Sequence, residues 1–102
     1  MSDCIFCKIV DGSIPSTKVY EDDKILAFKD LNPQAPVHTL IVPKQHICCA
    51  DEITADNCEI VGYIFSKIPE IAKSLGLENG YRIVNNCGED GCQSVKHLHF
   101  HL

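Results

Sequence analysis

The chain has 102 residues, 45% of them hydrophobic and 23% charged, and carries a formal net charge of −5. That length allows one domain spanning 1–102, and a chain this small hides only about 60–65% of its unfolded surface, so pairing with a second copy is a ready source of stability. The acidic balance argues against a clamp on a nucleic-acid backbone, which needs a basic stripe, but leaves room for a small phosphate held by amides and imidazoles.

The N-terminus, Met1-Ser2-Asp3-Cys4-Ile5-Phe6-Cys7-Lys8, has an acid and no basic region, so it does not read as a secretion signal. No apolar run approaches the roughly 20 residues that cross a bilayer, and no membrane partner is expected. Seven cysteines, an odd number without an export signal, read as reduced thiols in a cytoplasmic protein. Asp3 is a candidate N-cap for a short helical turn that Gly12 and Pro15 end, with Cys4 and Cys7 on one side of it. Thr17–Glu21 and Lys24–Lys29 are strand-like runs joined by Asp22-Asp23, a predicted hairpin. Asp30–Pro36 is a loop stiffened by two prolines. Val37–Pro43 is apolar enough for a central strand, with His38 its anomaly.

Helical spacing of Val61, Ile64, Phe65, Ile68, Ile71, Ala72 and Leu75 predicts the main helix, capped near Thr54, stopped at Gly76 and kinked or interrupted at Pro69. Tyr81–Asn85 reads as a further strand, and the polar loop 86–94 feeds the last six residues, His97-Leu98-His99-Phe100-His101-Leu102. Three imidazoles alternate there with three large apolar side chains. A strand sends alternate residues to opposite faces, so His97, His99 and His101 should share one face while Leu98, Phe100 and Leu102 enter a core. Side by side, such rings suit proton transfer, nucleophilic attack or metal ligation. Hairpin, strand, helix, strand, strand predicts an α+β fold with a mostly antiparallel sheet.

Residues 86–102, with Gln93-Ser94-Val95 leading into His-Leu-His-Phe-His-Leu, resemble the signature of the histidine triad family, closest to its nucleotide-binding, purine nucleoside phosphoramidase branch. The resemblance continues through Phe28–His38 and Ile5-Phe6-Cys7-Lys8-Ile9 and spans nearly the whole chain. It implies a homodimer that joins two five-stranded sheets, each protomer with one long and one short helix and each binding a nucleoside monophosphate, AMP or GMP. By position, His99 resembles the nucleophile that would attack the α-phosphorus, with water then cleaving the nucleotidyl-histidine. His101 would hydrogen-bond the phosphate, and His38 would orient His99 through its second ring nitrogen. Gln93 and Ser94, assisted by Asn86, would hold the non-bridging oxygens. Asp30 would accept from the ribose, and Ile5, Phe6, Ile9, Phe28 and Leu31 would sandwich the base, although plain core packing explains Phe6 and Ile9 nearly as well.

A subset of the family, and the related nucleotidyl transferases, binds structural zinc with a Cys-x-x-Cys plus two histidines. Here that set would be Cys4, Cys7, His46 and His97, the histidines left once His38, His99 and His101 serve the phosphate. A redox pair also fits Cys-x-x-Cys, but a thioredoxin-like pair opens a helix after a strand, and no strand precedes Cys4. Two departures stand out: Cys92 replaces the family's usual glycine before Gln93, and the apolar residue and tail that relatives carry after the motif lie beyond Leu102. The resemblance favours hydrolysis of nucleoside monophosphate conjugates at a P–N bond. A dinucleoside polyphosphate hydrolase or a nucleotide-binding regulatory module with incidental turnover are the alternatives.

Overall fold

The computed structural model describes residues 4–102, so Asp3 lies outside the described residues. Cys4 takes the cap position of helix α1 (Ile5–Val10), its sulfur accepting from the Cys7 amide. Strands β1 (Lys18–Glu21), β2 (Ile25–Lys29), β3 (Thr39–Pro43) and β4 (Phe100–His101) form an antiparallel sheet in the order β1-β2-β3-β4. Helix α2 (Glu59–Ser74) and a short 3-10 turn (Ala50–Glu52) lie between β3 and β4 in the chain. The β1–β2 turn is built on Asp22, whose carboxylate accepts from the Lys24 and Ile25 amides and from the Tyr20 and Tyr63 hydroxyls. Burial alone would raise its pKa, but these hydrogen bonds outweigh it and hold the carboxyl well below the usual range.

Alternation along β2 and β3 divides the core into two layers. Ile25, Ala27 and Ile41 face α2 and pack with Ile64, Ile68, Ile71, Leu98, Phe100 and Leu102. Leu26, Phe28, Leu40 and Val42 face the other way and pack with Phe6 and Ile9 of α1. Covering both faces explains why these strands are nearly continuous apolar runs. Each fully buried Ile or Leu contributes about 1.5–3 kcal/mol relative to exposure, which makes β2–β3 the rigid mount for what its ends carry.

Among the described residues the expected five strands are four. Residues 81–85 contribute a single bridge, Val84 N–H to the His101 carbonyl at 3.0 Å and the reverse at 2.8 Å. Its partner β4 is two residues long, and the Asn85 and Asn86 side chains turn to backbone carbonyls, so little ladder is on offer. The terminal segment likewise pairs only at Phe100–His101, extended by mutual Thr39–Leu102 bonds. Its alternation survives: Leu98, Phe100 and Leu102 enter the α2-side core. The histidine face is not open, however. His97 and His99 are 0% and 2% exposed, and only His101 is half-buried, because Phe6 and Phe28 close over that side.

Helix α2 starts later than Thr54 suggests. Thr54 heads a preceding turn that Asn57 closes, and Cys58 is the cap. Pro69 does not interrupt the helix; it stands on the solvent side, where the carbonyl its missing N–H leaves free meets water. The helix ends as expected at Gly76, in the left-handed region with φ +76°, whose amide bonds the Lys73 carbonyl while the Leu77 amide bonds Ala72.

Candidate functional site

Backbone partners fix where His38, His97 and His99 carry their protons, and His38 in turn fixes His101. His38, just before β3, accepts the Gln34 amide on Nδ1 at 2.9 Å, so its proton sits on Nε2. That Nε2–H donates to His101 Nδ1 at 2.8 Å and lies 3.5 Å from an Asp30 carboxylate oxygen. His101 therefore keeps its own proton on Nε2, a donor for an anion. Burial pushes the His101 pKa down, assisted by His99 and His38 and opposed by Asp30, which keeps the ring neutral. His99 Nδ1–H donates to the His97 carbonyl at 2.7 Å, so its Nε2 holds a free lone pair. The His99 and His101 rings lie 5.1 Å apart. A lone pair and an N–H donor thus stand beside each other, as attack on a phosphorus with a held oxygen requires.

This geometry corrects one expected role: His38 meets His101, not His99, whose second nitrogen is held by the His97 carbonyl. Gln93 is also not a free donor. Its Nε2 bonds the Cys48 and Val95 carbonyls at 2.8 and 2.9 Å, and its Oε1 accepts the Gly88 amide, so it closes the 86–94 loop. Asn86 donates to the Gly91 carbonyl at 2.7 Å and lines a cavity of about 540 Å³ with His38, His101, Gln34 and Tyr81. Ser94 is exposed. Phe6, Ile9 and Phe28 are core residues, whereas Ile5 and Leu31, 46% and 81% exposed, are the apolar side chains free to meet a base. Asp30 caps the Asn32 amide with one oxygen and turns the other to His38.

Asn85 was not anticipated. Its Nδ2 donates to the His99 carbonyl at 2.8 Å, holding the backbone of the residue whose ring carries the lone pair. The signal was the first of two consecutive asparagines closing an apolar strand pattern, of which only the second, Asn86, was read.

At the other end of β3 lies the Cys/His cluster. Cys4, Cys7, His46 and His97 bring four ligand atoms within 4.8 Å of one another. His97 Nδ1 is 3.3 Å from Cys4 Sγ, 3.5 Å from Cys7 Sγ and 3.2 Å from His46 Nδ1, and Cys7 Sγ is 3.3 Å from His46 Nδ1. Tetrahedral zinc with S and N ligands at roughly 2.3 and 2.0 Å separates its ligand atoms by about 3.3–3.7 Å, so the set fits. His97 donates Nε2–H to the Pro43 carbonyl at 2.8 Å, which aims the unprotonated Nδ1 into the cluster. Burial pushes the Cys7 thiol up, as does neighbouring Cys4, and burial pushes the His97 imidazole down. Both effects favour uncharged ligands until a cation supplies compensating charge.

An antiparallel sheet between two helices, ending in three alternating histidines, two of them paired with separate partners, defines a histidine triad protein. The family model described as "Scavenger mRNA decapping enzyme C-term binding" matches residues 3–102. The "14 kDa zinc-binding protein" of Zea mays is 52% identical over 103 residues, covering 99% of this chain and 80% of that protein. "Adenylylsulfatase HINT1" of Arabidopsis thaliana is 46% identical, covering 99% and 70%. A solved histidine triad protein from Clostridium difficile is 56% identical with a TM-score of 0.95, covering 99% and 89%. The chain belongs to the histidine triad (HIT) family.

Proposed function

We propose that the protein hydrolyses nucleoside monophosphate conjugates, purine phosphoramidates foremost, through a nucleotidyl intermediate on His99. The observation that carries this is the His99 Nδ1–H bond to the His97 carbonyl, which leaves a lone pair on Nε2 beside a neutral His101 donor. His99 Nε2 attacks the α-phosphorus; the P–N bond breaks and the amine leaves with a proton from solvent. Water then attacks the same phosphorus, the P–Nε2 bond breaks, and the nucleoside monophosphate departs. His101 Nε2–H holds a phosphoryl oxygen throughout, its ring set by His38 and the Gln34 amide. Ser94 and the loop that Gln93 and Asn86 close would meet the remaining oxygens, with Asp30 toward the ribose and Ile5 and Leu31 on the base. A relative named as an adenylylsulfatase supports nucleotide chemistry at this site.

Cys4, Cys7, His46 and His97 would hold a structural zinc, in keeping with the ligand geometry and with a relative named for zinc binding. Val84 stands at the open edge of the sheet beside half-exposed Tyr81, and we propose this edge as the homodimer seam of a cytoplasmic enzyme. The test is mass spectrometry after mixing with an aminoacyl-nucleotide phosphoramidate and, in parallel, a dinucleoside polyphosphate. An adduct from the phosphoramidate should map to His99 and vanish in His99→Ala. An adduct on another residue, or turnover of the polyphosphate alone, would overturn the assignment.

A further inference from the structure

We propose that His97 is a positioning residue that couples the metal centre to the nucleophile: with a cation held by Cys4, Cys7, His46 and His97, the His97 carbonyl and the Phe6 ring fix His99. The proposal rests on the reading of His99 as nucleophile, and two separate links in the structure support it.

The first link runs through one residue. The His97 ring, wholly buried, is held on one nitrogen by the Pro43 carbonyl and offers the other to the sulfurs and His46, while its backbone carbonyl accepts His99 Nδ1–H at 2.7 Å. A ring locked at both nitrogens fixes its own backbone, and that backbone decides which His99 nitrogen keeps the proton.

The second link runs through α1. This helix has six residues and no acid in its first turn, and its cap is the sulfur of Cys4, itself one of the four ligands. So short a helix does not persist alone; the ligands at Cys4 and Cys7 bracket Phe6 and tie it down. Phe6 stands edge-on to His99 with centroids 5.0 Å apart at 88°, and edge-on to Phe28 at 5.7 Å. Release of the metal therefore loosens the wall of the His99 ring as well as its hydrogen-bond partner. The phosphate anchor stays: His38 and His101 are held by the Gln34 amide and the β3–β4 pairing, and the α2-side core contains none of the four ligands.

The test uses histidine-ring ¹⁵N–¹H correlation NMR on zinc-loaded and chelator-stripped protein, with AMP affinity and the rate of adduct formation measured alongside. Stripping should replace the His99 Nδ1–H signature by a mixture of tautomers and slow adduct formation about 10–100-fold, the scale of lost orienting contacts around metal ligands. AMP affinity should stay nearly unchanged, and zinc should restore both signals. His46→Gln, which spares the α1 ligands and His97, should show the same loss at low zinc and recover in excess zinc. An unchanged tautomer and rate after stripping would overturn the coupling. So would AMP binding that falls as far as the rate, or loss of the α2-side core, since the metal would then staple the whole fold. If loaded protein forms no adduct at His99, the proposed function fails, while the tautomer signal still decides the coupling.

Discussion

His46 with His97 and His38 with His101 are two imidazole pairs of similar spacing, with ring nitrogens 3.2 and 2.8 Å apart. The backbone around them assigns them opposite chemistry. At His97 the Pro43 carbonyl takes the proton on Nε2, so Nδ1 points a lone pair at two sulfurs and a second imidazole. At His38 the Gln34 amide occupies Nδ1, so Nε2 must carry a proton, and that proton is the bond to His101. Asp30, His38 and His101 also bring ligand atoms within 4.8 Å of one another, so distance alone would admit a cation there too. It is excluded chemically: a neutral ring that accepts on one nitrogen has no lone pair on the other. One pair is arranged to converge on a cation, the other to pass a donor outward to an anion, and a single carbonyl or amide decides which.

Breaking the anion side should give the largest effect. His99→Ala removes the one free lone pair beside the His101 donor and should lower turnover of a phosphoramidate by about 10⁴-fold or more, as loss of a covalent nucleophile does elsewhere. The paired rings His38 and His101 remain, so AMP binding by calorimetry should persist; its disappearance would mean that His99 anchors the ligand instead of reacting with it.

On the cation side, Cys7→Ser replaces a soft ligand in a half-buried cluster and also disturbs the start of α1. The expected loss is about 2–4 kcal/mol, or roughly 10–25 °C in Tm for a domain of this size. Differential scanning calorimetry with and without chelator checks it: chelator should lower the wild-type Tm and leave the variant unmoved. A wild type indifferent to chelation would remove the cation from the comparison.

Acid sharpens the contrast. Burial holds the His101 pKa below its ordinary value, so between about pH 6.5 and that lowered value the unfolded chain takes a proton that the folded ring refuses. Stability contributed by neutral His101 is full above about pH 6.5 and is shed as pH falls through that window. Adduct formation should hold through that window and decline only as pH falls through the lowered value, because protonating Nδ1 of the folded ring destroys the acceptor for His38 and puts two donors face to face. A rate that stays flat until acid unfolds the protein would show that the His38–His101 bond has no part in holding the phosphate.

The imidazoles and thiols that the structure brings together were legible in the sequence, because alternation and the Cys-x-x-Cys spacing single out chemical types. What each nitrogen does was not. Proton placement depends on the Pro43 carbonyl, the Gln34 amide and the His97 carbonyl, and backbone groups have no letter in a sequence. The same holds for Gln93, whose residue type suits a phosphate donor but whose side-chain bonds all go to backbone groups of Cys48, Gly88 and Val95. The two-layer core was readable from β2 and β3, since a run buried on both faces has to be apolar throughout. The fifth strand was over-read: Tyr81–Asn85 has strand composition, but pairing needs a partner ladder, and β4 offers two residues.

The smallest effect concerns the loop between the two sites. Cys92 has φ +64°, a left-handed conformation that a side chain strains and glycine adopts freely. The conformation is imposed from both sides: the Cys92 amide bonds Glu89, the Gln93 amide bonds Gly88, and a Cβ on Gly91 would collide with the Cys87 carbonyl. Cys92→Gly should therefore relieve about 1 kcal/mol of strain, offset in part by the freer unfolded chain, for a net gain of roughly 0.5 kcal/mol or a few degrees in Tm. Gly91→Ala should do the reverse and by more, since the loop has no room to move away. If Cys92→Gly instead destabilised the protein, the exposed thiol would be making a contact that its φ angle conceals, and the loop's path would follow from that contact and not from the turn. The two substitutions differ by one position, so comparing their melting curves separates backbone strain from side-chain crowding within a single loop.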